Sequence, residues 1–490
     1  MSITAHNEEV LKQLPQKYIE VFREFAMLDS VPRKSGNRAG IVAYVLNWAK
    51  EHQFEAHKDD ADNVLITIPA TKGLENTPGI CLQGHTDMVA VKTPDCAHDF
   101  EKDPISFRIV DGKWLMACDT TLGADDGMGV ALAMAIATDK TIKHGPIELL
   151  FTSDEEIGLI GASGLKKCLK SKYLLNLDSE DFGDICVSCA GGFRITFEKT
   201  FARSAIGADE KVIEVYVHGY LGGHSGAEIQ CYRANAIHQL VKVLKQVPAE
   251  KKLRLVSISG GIAHNAIPSA AKAVIAFQGE CPCEQMKREF ARVNECYHSA
   301  EPNAVIEFKE LADQKEAWSV EDSANIVDFL LNTPHGPQRF SQDVKDFVET
   351  SFATTILETR GDMVHILGSG RSNYEQELEL LYQRLAALGR LCGWKASEML
   401  QRYPGWPAKM DSPLIAITEK AYKKHCDHVR VCAIHAGLEA GMICKLHEGM
   451  EAISIGPTIL SPHSPQERCE IETVGKSFEI VRELVEDIAK

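Results

Sequence analysis

Five acidic or histidine residues lie at the ends of short apolar segments and could together bind two metal ions. They are His85 in LQGHTDMV, Asp125 in TLGADDGMG, Glu156 in LLFTSDEEIG, Asp178 in LLNLDSED and His463 in GPTILSPHSPQE. Mixed imidazole and carboxylate ligands suit Zn²⁺ and would also accept Mn²⁺ or Co²⁺. Two such cations can polarise a carbonyl group and activate water. The residue types therefore predict a hydrolytic centre with two divalent metal ions.

Two further carboxylates stand beside these candidate ligands. Asp87 is two residues after His85 at the predicted end of a strand, and the period of two places both side chains on one face. Asp87 could therefore accept a hydrogen bond from the imidazole and set its orientation. Glu155 directly precedes Glu156, and adjacent side chains diverge. One carboxylate of this pair could bind metal while the other faces the reacting water.

Each of these residues also has a purely structural interpretation. Asp125 stands at a turn before a helix, where an aspartate is commonly an N-cap. Asp178 could be a cap or turn residue, and the Glu155–Glu156 pair could be a solvated acidic turn. A loop histidine such as His463 is usually a polar surface group. The combination favours chemistry because the predicted elements bring all of them to one edge of one sheet.

The segments that carry these residues alternate between helical and strand-like patterns. GICLQGHTDMV, IELLFTS and YLLNLD predict strands, and the continuous apolar character of the last two is typical of a parallel sheet buried on both faces. MGVALAMAIATDK predicts a helix opened by the Asp-Asp-Gly turn. Such alternation predicts an α/β domain with a mostly parallel central sheet, which builds its site at the carboxyl ends of the strands.

The pattern changes near residue 192. In FRITFEKTF and KVIEVYVHGY, apolar and polar residues alternate with a period of two, as in antiparallel strands with one solvent-exposed face. A similar order of strands and helices recurs after AVIEFKEL, which predicts an inserted α+β domain with two related halves. The α/β character returns near residue 402. We therefore expect a discontinuous catalytic domain of residues 1–191 and 402–490, and an inserted domain of residues 192–401.

Bulk composition excludes several classes of protein. The 490 residues carry a formal net charge of −16, which argues against a nucleic-acid or anionic-membrane partner. No apolar run approaches the roughly 18 residues that span a bilayer, and the N-terminus has no signal-peptide pattern. We therefore expect a cytoplasmic protein, and scattered cysteines in such a chain favour reduced, mostly buried thiols. The absence of a phosphate-binding loop disfavours a metal-dependent nucleotide hydrolase.

These motifs resemble a known family over essentially the whole chain. GHTDMV, TLGADDG, TSDEEIG, NLDSE and the late Pro-His resemble, in this order, the metal-site motifs of the M20 metallopeptidase family. GGHSGAEIQCYRANA, GGIAHNAIP, GSGRS and IHAGLEAG resemble its subgroup of aminoacyl-histidine dipeptidases, also called cytosolic non-specific or Xaa-His dipeptidases. The resemblance implies a catalytic domain with two metals and an inserted lid domain that closes over the substrate.

The resemblance also implies how the ligands divide between the metals. One metal would be bound by His85, Asp125 and Asp178. The other would be bound by Asp125, Glu156 and His463, so that Asp125 bridges the two. An aspartate at position 178, rather than a glutamate, is similar to the aminopeptidase and dipeptidase members of the family. The metals are expected to be zinc, with cobalt or manganese as alternatives.

Catalytic roles follow from the same resemblance. Asp87 would orient His85, and Glu155 would be the general base that takes a proton from the water shared by the two metals. His224 in GGHSG would donate a hydrogen bond to the carbonyl oxygen as it gains negative charge. It belongs to the inserted domain. Its structural alternative is a turn histidine packed beside glycines.

Three further residues are implied to bind the ends of a short peptide. Arg371 in GSGRS could bind a C-terminal carboxylate through two hydrogen bonds. Asn265 in AHNAIP could bond to the peptide backbone or carboxylate, and Gly437 in HAGLEAG would let the backbone approach the substrate. His435 and Glu439 lie nearby and have only weak assignments. A peptide bound at both termini would be short, because the distance between the two anchors sets its length.

The sequence thus predicts a metal-dependent dipeptidase that cleaves unblocked dipeptides, including Xaa-His substrates such as carnosine. The family likeness implies a homodimer that forms through the inserted domain. An aminoacylase or tripeptidase on the same scaffold is the alternative enzyme. A catalytically silent metal- or peptide-binding protein is the alternative of another class. Glu155 disfavours it, because a binding protein needs no base beside the metal ligands.

Overall fold

The chain divides into two structural units in a computed structural model that describes residues 2–166, 168–312 and 314–490. The first unit contains residues 1–188, 406–433 and 438–490, and the second contains residues 189–405 and 434–437. The short segment 434–437 is thus grouped with the second unit, whereas the sequence analysis assigned it to the catalytic domain. Among the described residues, every helix is too short or too polar to cross a bilayer.

The helices of the described ranges are spread over both units. Their bounds are α1 Ala5–Leu11, α2 Ile19–Leu28, α3 Arg38–Glu51, α4 Ala124–Thr138, α5 Ile160–Gly164, α6 Ala236–Lys245, α7 Cys283–Asn294, α8 Val320–Asn332, α9 Glu375–Leu391, α10 Pro413–Tyr422, α11 Glu439–Leu446 and α12 Ile471–Ile488.

The strands fall into three groups along the chain. The first group is β1 Glu55–Lys58, β2 Val64–Ile68, β3 Ile80–His85, β4 Phe107–Val110, β5 Trp114–Ala117, β6 Ile147–Thr152, β7 Tyr173–Asn176 and β8 Asp184–Cys189. The second is β9 Gly191–Thr200, β10 Arg203–Ala205, β11 Glu210–His218, β12 Gly223–His224, β13 Arg254–Gly260, β14 Ala266–Ile267, β15 Ala271–Gln278, β16 Val305–Leu311, β17 Glu316–Trp318, β18 Gly336–Phe340, β19 Val348–Arg360, β20 Met363–Ser372, β21 Lys395–Ala396 and β22 Leu400–Tyr403. The third is β23 Arg430–Ile434, β24 Glu451–Ser454, β25 Ile459–Leu460 and β26 Arg468–Glu470.

The first unit is built on an eight-stranded sheet, in the order β1-β2-β6-β3-β7-β24-β8-β23. Its four central strands, β6, β3, β7 and β24, run parallel, and β1, β2 and β8 pair antiparallel at the flanks. All residues of β3, β6 and β7 are buried, as expected for apolar strands covered on both faces. The predicted α/β class with a parallel sheet centre is confirmed.

Helix α4 lies in the core of this unit. Every residue from Asp126 to Ala137 is buried, so the helix has no solvated face. Small or apolar residues occur on every face of the helix after Asp126, which is typical of a helix surrounded by other elements. Because α4 contacts both β3 and α2, the residues of its first turn are fixed relative to the end of β3.

The second unit is a helix-and-sheet structure of a different kind. Its main sheet has ten strands, with the central order β16-β11-β15-β13-β19-β20-β9-β21, and all of its pairings are antiparallel. The longer elements repeat one order, β11-α6-β13-β15-α7 and then β16-α8-β19-β20-α9. This repeated order is the pattern on which the prediction of two related halves depends. A separate two-stranded sheet pairs β12 with β14.

The cysteines differ in part from the sequence prediction. Cys281 and Cys283 form a disulfide, so the expectation of reduced thiols is wrong for this pair. Pro282 lies between them in a turn that leaves their Cα atoms 5.3 Å apart, within the range that a disulfide requires. Of the thirteen other cysteines only Cys81, Cys186, Cys189 and Cys469 are buried, so the expectation of mostly buried thiols is wrong as well.

Candidate functional site

Strand ends and loops of the first unit supply the candidate metal ligands. His85 is the last residue of β3, Asp178 lies two residues after β7, and Glu156 lies four residues after β6. These strands run parallel, so their carboxyl ends meet at one edge of the sheet. Asp125 comes from the first turn of α4, and His463 from the loop between β25 and β26.

The five side chains form two groups that share one aspartate. The Nε2 atom of His85 lies 3.0 Å from Oδ1 of Asp125 and 3.5 Å from Oδ1 of Asp178. The Nε2 atom of His463 lies 3.1 Å from Oδ2 of Asp125 and 2.9 Å from Oε1 of Glu156. Each oxygen of Asp125 therefore faces a different group, an arrangement that suits a carboxylate shared by two cations.

The spacing of the donor atoms fits a cation in each group. Histidine and carboxylate ligands bind zinc at about 2.0–2.2 Å, so tetrahedral ligands of one ion lie roughly 3.3 Å from each other. The measured separations run from 2.9 to 3.5 Å. Within each group, all ligand atoms lie within 4.8 Å of one another. The donor set of the first unit therefore fits a pair of divalent cations.

Asp87 connects the end of β3 to the glutamate pair. Its Oδ1 accepts the main-chain N–H of Glu155 at 3.0 Å, and its Oδ2 accepts that of Glu156 at 3.4 Å. The hydroxyl of Ser35 donates to the same Oδ2 at 2.7 Å. The Nδ1 atom of His85 lies 3.1 Å from the main-chain oxygen of Asp87 and 3.5 Å from its carboxylate. The carboxylate of Asp87 thus lies closer to the main-chain N–H groups of the two glutamates than to the imidazole of His85.

Glu155 stands beside both groups without belonging to either. A ligand atom of Glu155 lies within 4.8 Å of ligand atoms of His85 and Glu156. Burial raises the pKa of Glu155 well above its usual value, and nearby carboxylates add to this effect. A carboxylate in this position is well suited to exchange protons with a molecule bound between the groups.

The close charges also shift the pKa values of the histidines. Burial alone would lower the pKa of His85, but the surrounding aspartates raise it well above its usual value. Hydrogen bonds to Asp125 and Glu156 raise the pKa of His463 to about 11. The imidazole of His463 is therefore positively charged at neutral pH when no cation is bound, and the pKa of His85 is shifted in the same direction. A cation would displace the extra proton, because imidazole binds metal in its neutral form.

Two buried charged side chains that the sequence analysis did not single out hold the backbone of this site. The guanidinium of Arg33 donates to the main-chain oxygen of Gly123 at 2.6 Å and to that of Thr86 at 3.4 Å, and Asp29 is its counter-ion at 2.6 Å. The carboxylate of Glu467 accepts main-chain N–H groups just before and at the start of α4. Only Glu467 has a sequence signal, since it follows a candidate ligand in the same loop.

His224 lies in the second unit, on β12. Its Nδ1 accepts the main-chain N–H groups of Gly226 at 3.3 Å and Ala227 at 2.9 Å. These bonds leave Nδ1 unprotonated, so the ring hydrogen is on Nε2. Burial and then the charge of Arg371 lower the pKa of His224 to about 4. At neutral pH the residue is therefore an uncharged donor through Nε2.

Arg371 is a buried cation of the same unit, on β20. Its Nη1 donates to the hydroxyl of Tyr403 at 2.9 Å, whereas its buried Nε has no hydrogen-bond partner within the described ranges. A Cβ atom on Gly226 would lie 2.8 Å from this Nε, so a glycine is needed for the backbone to lie against the guanidinium. Burial and then Arg371 lower the pKa of His435 to about 3. The surroundings of Arg371 are thus suited to an anionic ligand.

Asn265 and Gly437 also belong to the second unit. The main-chain oxygen of Asn265 accepts the N–H of Ser225 at 2.8 Å, next to the pairing of β12 with β14. Gly437 ends the segment 434–437, which the N–H of Ala190 binds through two main-chain oxygens. The second unit therefore contains the four predicted residues His224, Asn265, Arg371 and Gly437, and the first unit contains the candidate metal ligands, Asp87 and Glu155.

Comparison with known proteins places this arrangement in a family. The family model described as peptidase family M20/M25/M40 matches residues 81–487. The chain is 36% identical over 476 residues to the cytosol non-specific dipeptidase of Escherichia coli strain K12, a match that covers 95% of this chain and 96% of that protein.

Solved structures agree with this match. The aminoacylhistidine dipeptidase of Vibrio alginolyticus is 35% identical, with a TM-score of 0.88, and the match covers 97% of this chain and 98% of the other. The aminopeptidase PepT of Bacillus cereus, 18% identical with a TM-score of 0.57, covers 98% of this chain and 100% of its own and shares the fold alone.

Proposed function

Because the chain belongs to peptidase family M20/M25/M40, as its motifs predict, we propose that it is a metal-dependent dipeptidase that hydrolyses unblocked dipeptides. The likeness to a non-specific dipeptidase over 95% of the chain supports the substrate class. The observation that carries the reaction type is the carboxylate of Asp125, whose two oxygens face two separate ligand groups. This arrangement supports hydrolysis with two divalent cations.

Two ligand groups of the first unit would hold the cations. His85, Asp125 and Asp178 would hold one, and Asp125, Glu156 and His463 the other. When bound, two such cations supply a Lewis acid for the scissile carbonyl and lower the pKa of the attacking water. We propose zinc in both positions because the ligands are imidazole and carboxylate, which manganese and cobalt also accept.

Glu155 would act as general base and then as general acid. Its carboxylate would take the proton of the attacking water and later give it to the leaving amine. The bond from its main-chain N–H to Asp87 holds the residue in position at 3.0 Å. We therefore propose Asp87 as a residue that orients both the base and the neighbouring ligand, in addition to its contact with His85.

The second unit would bind and polarise the peptide. His224 donates through Nε2 without a positive charge, and this suits a hydrogen bond to a carbonyl oxygen that gains negative charge. Arg371 would bind the C-terminal carboxylate, since its buried guanidinium has an unused Nε–H donor among the described contacts. Asn265 and Gly437 would complete the contacts with the peptide backbone.

The finer proposals concern substrates, assembly and location. We propose that Xaa-His dipeptides such as carnosine are among the substrates, supported by the likeness to an aminoacylhistidine dipeptidase. We also propose a homodimer formed through the inserted domain of residues 192–401, and a location in the cytoplasm. The cytosol non-specific dipeptidase to which the chain is similar supports that location.

Release of free histidine from Gly-His and β-Ala-His tests the proposal. The purified protein is assayed as prepared, after treatment with a chelator, and after zinc, manganese or cobalt is restored. Activity that the chelator removes and a metal restores would support the dipeptidase. N-acetyl-Gly-His and Gly-Gly-His serve as matched substrates, and faster cleavage of either would favour an aminoacylase or a tripeptidase. A protein that binds metal but cleaves none of these substrates would be the silent binding protein.

A further inference from the structure

The buried carboxylate of Glu467 binds several main-chain N–H groups at the start of α4. Glu467 is 2% exposed. Its Oε2 accepts the main-chain N–H groups of Leu122 at 2.7 Å and Gly123 at 2.9 Å. Its Oε1 accepts those of Ala124 at 2.7 Å and Asp125 at 3.4 Å. A single side chain thus binds four consecutive N–H groups, the last of which belongs to the aspartate shared by both ligand groups.

These four groups have no local acceptor in the first turn of α4. The first N–H groups of a helix lack partners within the helix and commonly bind a capping side chain. For the continuous part of α4 this acceptor is Asp126: Asp125 and Asp126 have non-helical φ and ψ values, and Oδ1 of Asp126 accepts the N–H of Gly129 at 3.2 Å. The four N–H groups of the segment before this continuous helix bind instead to the carboxylate of Glu467, which comes from a distant part of the chain.

Glu467 also belongs to the loop that carries His463. Its main-chain N–H donates to the oxygen of Ser464 at 3.0 Å, and the hydroxyl of Ser464 donates to the oxygen of Ser461 at 2.8 Å. These bonds make the segment from Ser461 to Glu467 a closed turn. The carboxylate of Glu467 therefore ties the segment of His463 to the segment of Asp125. These two residues are two of the three members of the second ligand group.

We propose that Glu467 is a positioning residue that sets the separation of Asp125 and His463 and thereby the affinity of the second group for its cation. The inference rests on the proposed function, because it presupposes that the two groups bind metal. It assigns Glu467 no contact with the metal or the substrate. The expected effect of losing it is a weaker metal site, not a changed substrate preference.

The Glu467→Gln variant tests this role with little change of shape. A glutamine keeps one acceptor oxygen, but its NH₂ group would face two N–H donors that now lack an acceptor. Loss of a side chain that supports metal ligands typically costs 10–100-fold in metal affinity or activity. We therefore expect the affinity for one of the two cations, the one that the second group would hold, to fall by about 10–100-fold. At saturating metal, we expect kcat to recover in large part and KM for the dipeptide to stay unchanged.

Glu148 offers a matched control in the same unit. It is 6% exposed, and its carboxylate accepts the main-chain N–H of Ser171 at 2.9 Å, the hydroxyl of the same residue at 2.6 Å and the N–H of Lys170 at 3.0 Å. It lies on β6 four residues before Thr152, about 13 Å from the edge that carries the ligands. Glu148→Gln should lower the melting temperature as Glu467→Gln does, and it should leave the metal affinity unchanged.

The measurement is a titration of the metal-free proteins with zinc in competition with a chelating dye, with no substrate present. A Glu467→Gln isotherm that superimposes on that of the wild type would overturn the inference. So would an equal loss of affinity in Glu148→Gln, or a wild-type protein that binds fewer than two cations. If Glu467→Gln does not fold, Glu467→Asp keeps the charge on a shorter side chain and should show a smaller loss in the same direction. A wild type that binds two cations and cleaves no dipeptide would refute the proposed function alone.

Discussion

The adjacent pair Glu155 and Glu156 gives the sharpest test of the proposed chemistry. We assign different roles to these two neighbouring glutamates: Glu155 is proposed as the base and Glu156 as a metal ligand. Glu156 lies 2.9 Å from His463 within the second ligand group, whereas Glu155 belongs to neither of the two groups that share Asp125. Replacing each in turn by glutamine keeps the shape but exchanges one carboxylate oxygen for an NH₂ group, which can neither take up a proton nor bind a cation.

Glu155→Gln should abolish proton transfer and leave the metals in place. The main-chain bond from residue 155 to Asp87 does not depend on the side chain, so the backbone should keep its position. General acid–base catalysis contributes about 10²–10⁴-fold, so we expect kcat to fall by that factor, which corresponds to roughly 2.7–5.5 kcal/mol. The affinity for two cations and KM should be nearly unchanged, since the replaced carboxylate holds neither cation.

The matched variant Glu156→Gln should lose metal affinity, which Glu155→Gln should keep. It removes a charged ligand from the second group, so the metal affinity should fall and part of the activity should return as metal is added. Dye-competition titration and steady-state hydrolysis of Gly-His would be measured on both variants at several metal concentrations. Retained turnover in Glu155→Gln, or restoration of its turnover by added metal, would refute the assignment of the base.

Three further predictions concern the shared aspartate, the protonation of His463 and the binding of the substrate carboxylate by Arg371. Asp125→Ala should lose both cations and all activity together, and a variant that still binds two cations would contradict the shared carboxylate. Binding of zinc at pH 7 should release protons, because His463 with its pKa of about 11 is positively charged before metal binds and neutral afterwards. Calorimetry in two buffers of different ionisation enthalpy would detect the released protons. A binding enthalpy that is equal in both buffers would contradict this prediction. Arg371→Lys should raise KM for a free dipeptide several-fold and leave a C-terminally amidated one nearly unaffected, since a single ammonium replaces a two-pronged donor. Equal effects on both substrates would argue against carboxylate binding.

The position of the shared aspartate has a structural cause. Asp125 stands where a fully buried helix begins, so its backbone cannot shift without disturbing the core around α4. Arg33 holds the carbonyl of Gly123 on one side, and Glu467 holds the amides on the other. Hydrogen bonds thus hold both polar sides of the same peptide segment. This double support explains how a single carboxylate can present each oxygen to a different histidine.

Several features could be predicted from local sequence alone. The apolar strand segments before His85 and Asp178 predicted parallel strands, and these strands carry the two residues at one edge of the sheet. The Asp-Asp-Gly turn predicted the start of a helix, and α4 begins there. These inferences succeed because side-chain periodicity and turn chemistry depend on residues within a few positions of each other.

Other features depend on contacts between distant segments. The sequence placed Asp87 beside His85 by its period of two, but the carboxylate binds the amides of Glu155 and Glu156, 68 and 69 residues away. The tautomer of His224 follows from two backbone amides in a turn whose conformation no residue type dictates. Neither feature has a local signal.

Local patterns were enough to predict the candidate ligands and the α/β class, and the order of the motifs was enough to predict the family, because each of these signals lies within a short stretch of chain. Which oxygen of Asp125 faces which histidine, and the bonds from Glu467 to the backbone 342 to 345 residues before it, depend on how distant segments pack. Metal ligation and hydrogen bonding depend on separations of a few tenths of an ångström. Such separations are set by how whole strands and helices pack, and a linear pattern does not contain them.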